Sequence, residues 1–325
     1  MLQTAVIGLG ELGLAHAAAL RSDPLSRLVG VCDPDRARAA RAGRRLGVRP
    51  YCRVGDLLRS TRPELVSICS EGAAAPCQVR AALLAGAHVL TEPPLAPTLR
   101  QSQGLAELAR RRGRVLAADF NQRFPPAACL AAQWIAQGRL GTPLFANLSL
   151  WEEAPAGADP YRHLRTRLVH AVDLLRHWCG EVAAVQCFAA SPQAGGAWAA
   201  VNLSLRLRSG LVAHINGSAA MTARHPLQRC EVAGNEARLE LTNIYEDLVL
   251  YPHAEAEKTV VSNNIWTGLL GYEQTFGVRL HRLLEQLEAG TPPDQVEGGA
   301  ADALAAQRVV EAAVRALEKG TVVKV

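Results

Sequence analysis

Aromatic residues are scarce in this chain: Phe, Trp and Tyr together make up 5% of its 325 residues. No basic stretch is interleaved with them, which excludes the stacking surface that single-stranded nucleic acid needs. No apolar run approaches the roughly 18 residues of a membrane-spanning helix. The eight cysteines (Cys32, Cys52, Cys69, Cys77, Cys129, Cys179, Cys187 and Cys230) include no C-x-x-C pair. That pattern points away from a zinc site or a redox pair, and a chain of this length needs no disulfide framework. The apolar start contains Ala-His-Ala but lacks the positive n-region of a signal peptide. No internal repeat is visible. The expectation is a cytoplasmic protein with reduced cysteines, no nucleic acid partner and no membrane partner.

What is present is an ordinary globular composition, with 49% hydrophobic and 20% charged residues and a net charge of +5. The length suggests about two domains. Arg110, Arg111, Arg112 and Arg114 form the densest basic run and read as a solvated helix face. In the first third, short β-rich runs (4–9, 28–33, 65–69, 88–91, 115–120) alternate with helical stretches (11–21, 36–46, 77–85, 99–111). Such alternation builds βαβ units and a parallel, doubly wound sheet. Beyond residue 121 come a helix at 127–135, a break at Leu140-Gly141-Thr142-Pro143, and strands at 143–151, 183–190, 199–208, 212–218, 228–232 and 237–241. Residues 201–207 alternate polar and apolar, the mark of an antiparallel sheet with one wetter face. A helix at 168–178 interrupts the strands, and helices at 275–288 and 300–317 are expected to cover the sheet's other face. The predicted fold class is α/β: a doubly wound parallel-sheet domain over 1–121, then an α+β domain over 122–325 with a large, mostly antiparallel open sheet.

Gly8-Leu9-Gly10-Glu11-Leu12-Gly13 fits G-x-G-x-x-G at a strand-to-helix junction. Gly8 permits the tight turn, Gly10 admits a pyrophosphate close to backbone, and Gly13 lets helix pack on strand. The unpaired N–H groups and dipole at the helix start favour a phosphate there. Asp33 ends the second strand about 20 residues after the last glycine, the place of a carboxylate that takes ribose hydroxyls. It favours NAD(H) over NADP(H), a preference that Arg36 and Arg38 just downstream would soften. The competing explanation is a glycine-rich turn that closes the fold without a cofactor.

With these motifs in hand, the chain resembles the Gfo/Idh/MocA oxidoreductases, the group of glucose-fructose oxidoreductase and inositol dehydrogenase. The resemblance runs through Gly8 to Gly13, Val31-Cys32-Asp33-Pro34-Asp35, the stretch 82–96 containing Thr91-Glu92-Pro93-Pro94, Phe120-Asn121-Gln122-Arg123-Phe124, Gly138-Arg139-Leu140-Gly141, Val169-His170-Ala171-Val172-Asp173 and the ending 301–325. It implies a Rossmann domain whose cofactor contacts come from Gly8, Leu9, Gly10, Glu11, Leu12, Gly13, Asp33, Ser70, Glu71, Glu92, Pro93 and Asn121. It implies a homo-oligomer, dimer or tetramer, assembled through the second-domain sheet. The family's Glu-Lys-Pro lysine assists proton transfer, but this chain has Pro93 there, without ionisable group or N–H. The acid–base histidine aligns with His170, and the Asp often found four residues earlier aligns with Thr166. The Thr-Pro after the fourth strand aligns with Ser70-Glu71, and a later His with Ala75.

His170 is thus the first candidate acid–base group. On one continuous helix Thr166, His170, Asp173 and His177 would share a face, with Asp173 placed to orient His170 or to bond backbone. A core histidine is the bland alternative; metal ligation is not expected, since one helix face rarely completes a shell. The preceding cluster, Asp159-Pro160-Tyr161-Arg162-His163-Leu164-Arg165-Thr166-Arg167, offers Tyr161 and His163 as proton donors in place of the lysine. Arg162 and Arg165 suit a substrate carboxylate or phosphate; an exposed basic loop is the alternative. Trp151-Glu152-Glu153, Thr166 and Asp173 complete the candidate substrate contacts, and Arg123 is expected to be structural. The resulting expectation is an NAD(H)-dependent oxidoreductase acting on a small polar hydroxyl, keto or imine metabolite with an altered catalytic set. The alternatives are an NAD-binding pseudoenzyme or sensor, and a glycosidase-like enzyme that recycles hydride on tightly held NAD.

Overall fold

Thr4 to Ile7 are buried in succession, as a strand covered on both faces must be. They end β1 (Leu2–Ile7), which with β2 (Ser26–Cys32), β3 (Pro50–Tyr51), β4 (Leu65–Ile68), β5 (His88–Thr91) and β6 (Leu116–Ala118) forms a parallel sheet in the order β3-β2-β1-β4-β5-β6. The computed structural model describes every residue except 71, 153–158, 192–197, 221–227 and 263–270. The chain runs outward from β1 to β3, then returns to β4 on the other side. The crevice at the carboxyl ends of β1 and β4 is therefore the topological switch point where doubly wound sheets bind ligands. Helices α1 (Glu11–Ser22), α2 (Arg36–Leu46), α3 (Val54–Thr61), α4 (Ala74–Leu84) and α5 (Leu99–Arg112) connect the strands. Their ends follow from local chemistry. The Asp35 carboxylate caps α2 by accepting the N–H groups of Ala37 and Arg38 at 2.8 and 3.0 Å, and Gly47 closes the helix in the left-handed region at φ 67°.

Two compact units emerge, one comprising Met1–Asn121 and Glu273–Leu304, the other Gln122–Tyr272 and Ala305–Val325. The first contains a correction to expectation. Helix α9 (Gln274–Glu288) does not cover the second sheet; its Leu280, Leu283 and Leu284 share a core with Ala17 and Leu20 of α1. An amphipathic repeat shows that a helix buries one face, but not which neighbour it buries it against. The same returning segment shields β6: the Ala118 N–H donates to the Gly298 carbonyl at 2.9 Å, Arg279 donates to the Ala118 carbonyl at 3.3 Å, and Ala117 bridges Gly299.

In the second unit, α6 (Pro126–Ala136) precedes a nine-stranded sheet. Its strands are β7 (Pro143–Trp151), β8 (Val182–Ala190), β9 (Ala200–Leu207), β10 (Val212–Ser218), β11 (Gln228–Gly234), β12 (Ala237–Thr242), β13 (Leu248–Pro252), β14 (Thr259–Val261) and β15 (Val323–Lys324), in the order β14-β13-β12-β11-β7-β10-β9-β8-β15. Pairing is antiparallel except between β7 and β10, which run parallel with Trp151 opposite Ser218. Ala146 and Leu148 of β7 and Ala213 and Ile215 of β10 face inward, where α7 (Arg162–Thr166) and α8 (Leu168–Cys179) pack. Helix α10 (Ala300–Lys319) begins in the first unit and ends in the second. No helix among the described residues is long and apolar enough to cross a membrane.

A buried polar chain crosses the first unit. His16 on α1 meets the Ser67 hydroxyl through Nδ1 at 2.8 Å and the Asp119 carboxylate through Nε2 at 3.1 Å, with the Phe276 ring 5.2 Å away. Burial opposes charge on His16, but the Cys69 sulfur and the Asp119 carboxylate outweigh it and hold the imidazole well above its ordinary value. A histidine whose folded value is raised contributes stability that is complete below its unfolded value and is lost as pH rises through the folded one. The wild-type protein should therefore lose stability on going from mildly acidic to alkaline pH more steeply than His16→Gln, measured by urea unfolding at several pH values. Equal slopes would contradict a charged His16 in the folded state.

Candidate functional site

The turn after β1 is built from three glycines with different duties. Gly8 lies at φ +86°, donates its N–H to the Cys32 carbonyl at 2.9 Å, and passes so close to β4 that a Cβ would stand 2.7 Å from the Ser70 nitrogen. A Cβ on Gly13 would collide with the Gly8 carbonyl oxygen. Both are demanded by the chain's own packing. Gly10 is not: it has φ −65°, open to any residue, and a Cβ there would meet nothing within 4 Å among the described residues. Its missing side chain leaves free space in front of the backbone. Gly10 also N-caps α1 without a side-chain cap, so the N–H groups of the first turn, beginning at Glu11 and Leu12, remain for an anion.

Asp33 fixes this turn to the end of β2. Its Oδ2 accepts the Leu9 N–H at 2.8 Å, its Oδ1 accepts the Asp35 N–H at 2.9 Å, and Arg38 donates to it at 3.3 Å. The carboxylate is 2% exposed. Ser70 stands beside Gly8; Glu71 lies outside the described residues. At the end of β5, Glu92 is half-buried and Pro93 buried, and the Pro93–Pro94 peptide is cis. Asn121 is fully buried and donates from Nδ2 to the Thr275 hydroxyl at 2.7 Å, while its Oδ1 finds no hydrogen-bond partner among the described residues. An open glycine, an uncapped helix start and a carboxylate at the second strand's end suit a dinucleotide's phosphates and ribose. His16, Glu92 and Asp119 bring one ligating atom each to within 4.8 Å of one another, a cluster that sequence spacing gives no reason to suspect.

In the second unit, the helix expected at 168–178 is α8, and Arg167 (φ −111°, ψ −55°) separates it from α7. Thr166 therefore belongs to α7, where its hydroxyl donates to the Arg162 carbonyl at 2.9 Å. His170 lies buried in the first turn of α8, its N–H donating to the Arg167 carbonyl at 3.1 Å. Asp173, 1% exposed, accepts Arg123 in a two-point fork at 2.6 and 2.5 Å, with Arg176 at 3.7 Å. It balances a buried guanidinium and is not an exposed contact; His177 is exposed. Arg123 is structural, as expected.

The basic cluster is folded back on itself. The Tyr161 hydroxyl donates to Glu318 at 3.3 Å, and burial together with Glu318 raises its ionisation above the ordinary tyrosine value. Arg165 lies 5.1 Å over the Tyr161 ring and 3.5 Å from Asp159, while Arg162 is exposed. Trp151 is half-buried at the end of β7, and Glu153 lies outside the described residues. Glu152 receives His163 Nδ1 and Arg167 Nε, each at 3.0 Å. Burial pushes the Glu152 carboxyl up, but the His163 hydrogen bond and the Arg167 charge more than offset it and leave it lowered. His163 is 6% exposed, and its Nε2 has no hydrogen-bond partner among the described residues. The pairing of Glu152 with His163 has no sequence signal, because it depends on where α7 lands on the sheet.

Comparison with known proteins agrees with this geometry. Residues 2–120 match the family described as "Oxidoreductase family, NAD-binding Rossmann fold", and residues 130–240 match the GFO/IDH/MocA C-terminal domain. A myo-inositol 2-dehydrogenase of Thermotoga maritima is 25% identical over 301 residues, 89% of each chain. A D-apiose dehydrogenase of Paraburkholderia graminis is 26% identical over 74% of this chain and 68% of its own. Among solved structures, levoglucosan dehydrogenase in complex with NADH and L-sorbose superposes with a TM-score of 0.89 at 21% identity, covering 100% of this chain and 98% of that one. With both domain families matched in order along one chain, this protein belongs to the Gfo/Idh/MocA family and is an NAD-dependent oxidoreductase whose residues 2–120 form the NAD-binding Rossmann fold.

Proposed function

We propose that this enzyme oxidises a hydroxyl of a small sugar or polyol, or reduces the matching ketone. The part built on residues 1–121 acts as the dinucleotide-binding domain, and the part within 122–325 as the substrate-binding and oligomerisation domain. The observation that carries the cofactor half is Gly10, a glycine that the chain's own packing does not require. Phosphates would lie on the first-turn N–H groups beyond Gly8-Leu9-Gly10-Glu11-Leu12-Gly13, ribose hydroxyls on Asp33, and further cofactor contacts would come from Ser70, Glu71, Glu92, Pro93 and Asn121. NAD+, when bound, supplies the hydride acceptor. The substrate class rests on relatives whose names concern polyhydroxylated compounds, myo-inositol and D-apiose among them.

The hydroxyl proton needs an acceptor that is not a lysine. The chain's three lysines are Lys258, Lys319 and Lys324, none in residues 1–121, and Pro93 is buried without an ionisable group. We assign the proton to His170. We assign Arg162, exposed on α7, to an acidic substituent of the substrate, and Trp151 to a further substrate contact. We place the enzyme in the cytoplasm as a homo-oligomer, its eight cysteines all unpaired. Pro93 and Thr166, the latter turned onto its own helix, favour a second reading as an NAD-binding sensor or an internal hydride recycler.

One assay separates these. Purified protein is given NAD+ with myo-inositol, levoglucosan and D-apiose in turn, and NADH is followed by absorbance. Saturable NADH formation is expected; tight NADH binding with no turnover of any polyol or ketone would favour the second reading. His170→Ala should lower kcat about 10²–10⁴-fold, the usual worth of a general acid–base group, with NADH affinity unchanged; unaltered turnover would remove His170 from the reaction.

The glycines give a paired test. Gly10→Val should leave the thermal midpoint nearly unchanged while weakening NADH binding, because the added side chain occupies only free space. Gly13→Ala should destabilise the fold by about 1–3 kcal/mol through overpacking. Equal NADH affinity for Gly10→Val and wild type, by fluorescence titration, would contradict the assigned phosphate site.

A further inference from the structure

The carboxyl ends of β7 and β10 carry a buried histidine that the reaction above does not use. His163 on α7 is tied through Nδ1 to Glu152 at 3.0 Å, and Glu152 is itself anchored by Arg167 at 3.0 Å. A carboxylate only accepts, so Nδ1 carries the hydrogen and the neutral ring presents Nε2 as an acceptor. That acceptor is buried with no hydrogen-bond partner among the described residues. It sits over Gly217 of β10, where a Cβ would stand 2.7 Å from Nε2 and close to the Leu168 side chain. Glycine inside a strand weakens it and often marks a place where a ligand or another backbone comes close.

We propose that Glu152 and His163 form a hydroxyl-binding subsite in which His163 Nε2 accepts a hydrogen bond from a substrate hydroxyl other than the one oxidised. This deepens the dehydrogenase reading and rests on it. The chemistry selects the ligand. The Nε2 lone pair and Glu152 behind it repel an anion, while Arg167 neutralises Glu152 and leaves no net attraction for a cation. A neutral O–H donor fits both. Glu152 fixes the tautomer and ring plane, Gly217 leaves the acceptor its space, and Leu168 supplies the apolar wall. A buried acceptor that meets its hydroxyl in one substrate and nothing in the deoxy analogue discriminates strongly between them.

The test compares wild type, His163→Leu, His163→Gln and Glu152→Gln in the full-length protein, each first checked for wild-type NADH affinity. On a polyol that wild type oxidises, His163→Leu should raise KM roughly 10- to 100-fold, the fold-change of one lost buried hydrogen bond. The loss should fall on KM rather than kcat. The same variant should lose wild type's discrimination against one monodeoxy analogue, His163→Gln should recover part of it, and Glu152→Gln should fall between. Unchanged KM and unchanged discrimination across all monodeoxy analogues would overturn the proposal while leaving the dehydrogenase intact. If wild type oxidises no polyol, that reading fails separately, and 15N-histidine NMR of the NADH complex decides this one. A shift of the His163 Nε2 resonance on adding myo-inositol or levoglucosan supports the subsite, and no shift with either overturns it.

Discussion

The hydrogen bond from the Leu9 amide to the Asp33 carboxylate at 2.8 Å, next to that from the Gly8 amide to the Cys32 carbonyl, ties the end of the first strand to the end of the second. The glycine turn is held in place by it. With Leu9 fixed, Gly8 must turn through the left-handed region against Ser70, and Gly13 must pack on the Gly8 carbonyl. Gly10 then starts α1 with its amides uncapped. One carboxylate therefore shapes the phosphate loop and also stands where a ribose would be read. Burying it costs solvation that two backbone N–H groups and Arg38 offset.

The second unit uses buried charge in two other ways. Arg123 and Asp173 match fork to carboxylate, leaving neither oxygen of Asp173 without a guanidinium nitrogen. Such a pair contributes little net stability when intact, but breaking it strands a buried charge at about 3–5 kcal/mol. It holds the start of the unit to α8, the helix that carries His170. Glu152 and His163, in contrast, leave His163 Nε2 without a hydrogen-bond partner among the described residues. A satisfied buried pair reads as scaffold, and a half-satisfied one reads as a place for something else. That contrast sets the Arg123–Asp173 fork apart from His163, whose open Nε2 is the basis of the proposed hydroxyl subsite.

The parallel sheet and the phosphate turn were legible because their signals are local. Continuous apolar runs, a G-x-G-x-x-G turn and an acid at the next strand's end all lie within 33 residues. Long-range placement was not legible. Helix α9 has the same amphipathic pattern whether it packs on the second sheet or, as it does, on Ala17 and Leu20 of α1. The start of a helix at 168 was legible, but the short helix α7 just before it, which carries Thr166, was not. Strand β13 and the edge strand β14 lack strong alternation, and β3 has only two residues. The Arg123–Asp173 fork was not legible either, because spacing shows which residues share a helix face, not which arginine elsewhere meets the carboxylate.

Asp33 also gives the account its most direct test. A carboxylate at this place would favour two free ribose hydroxyls and repel a 2′-phosphate, and the nearby Arg38 is already engaged with it at 3.3 Å. Calorimetric titration of the purified protein with NADH and with NADPH, side by side at one ionic strength, measures this preference without any substrate. The account predicts clearly tighter binding of NADH. Equal or tighter binding of NADPH would show that Arg38, not Asp33, governs the ribose, and would contradict the reading of the turn on which the rest is built.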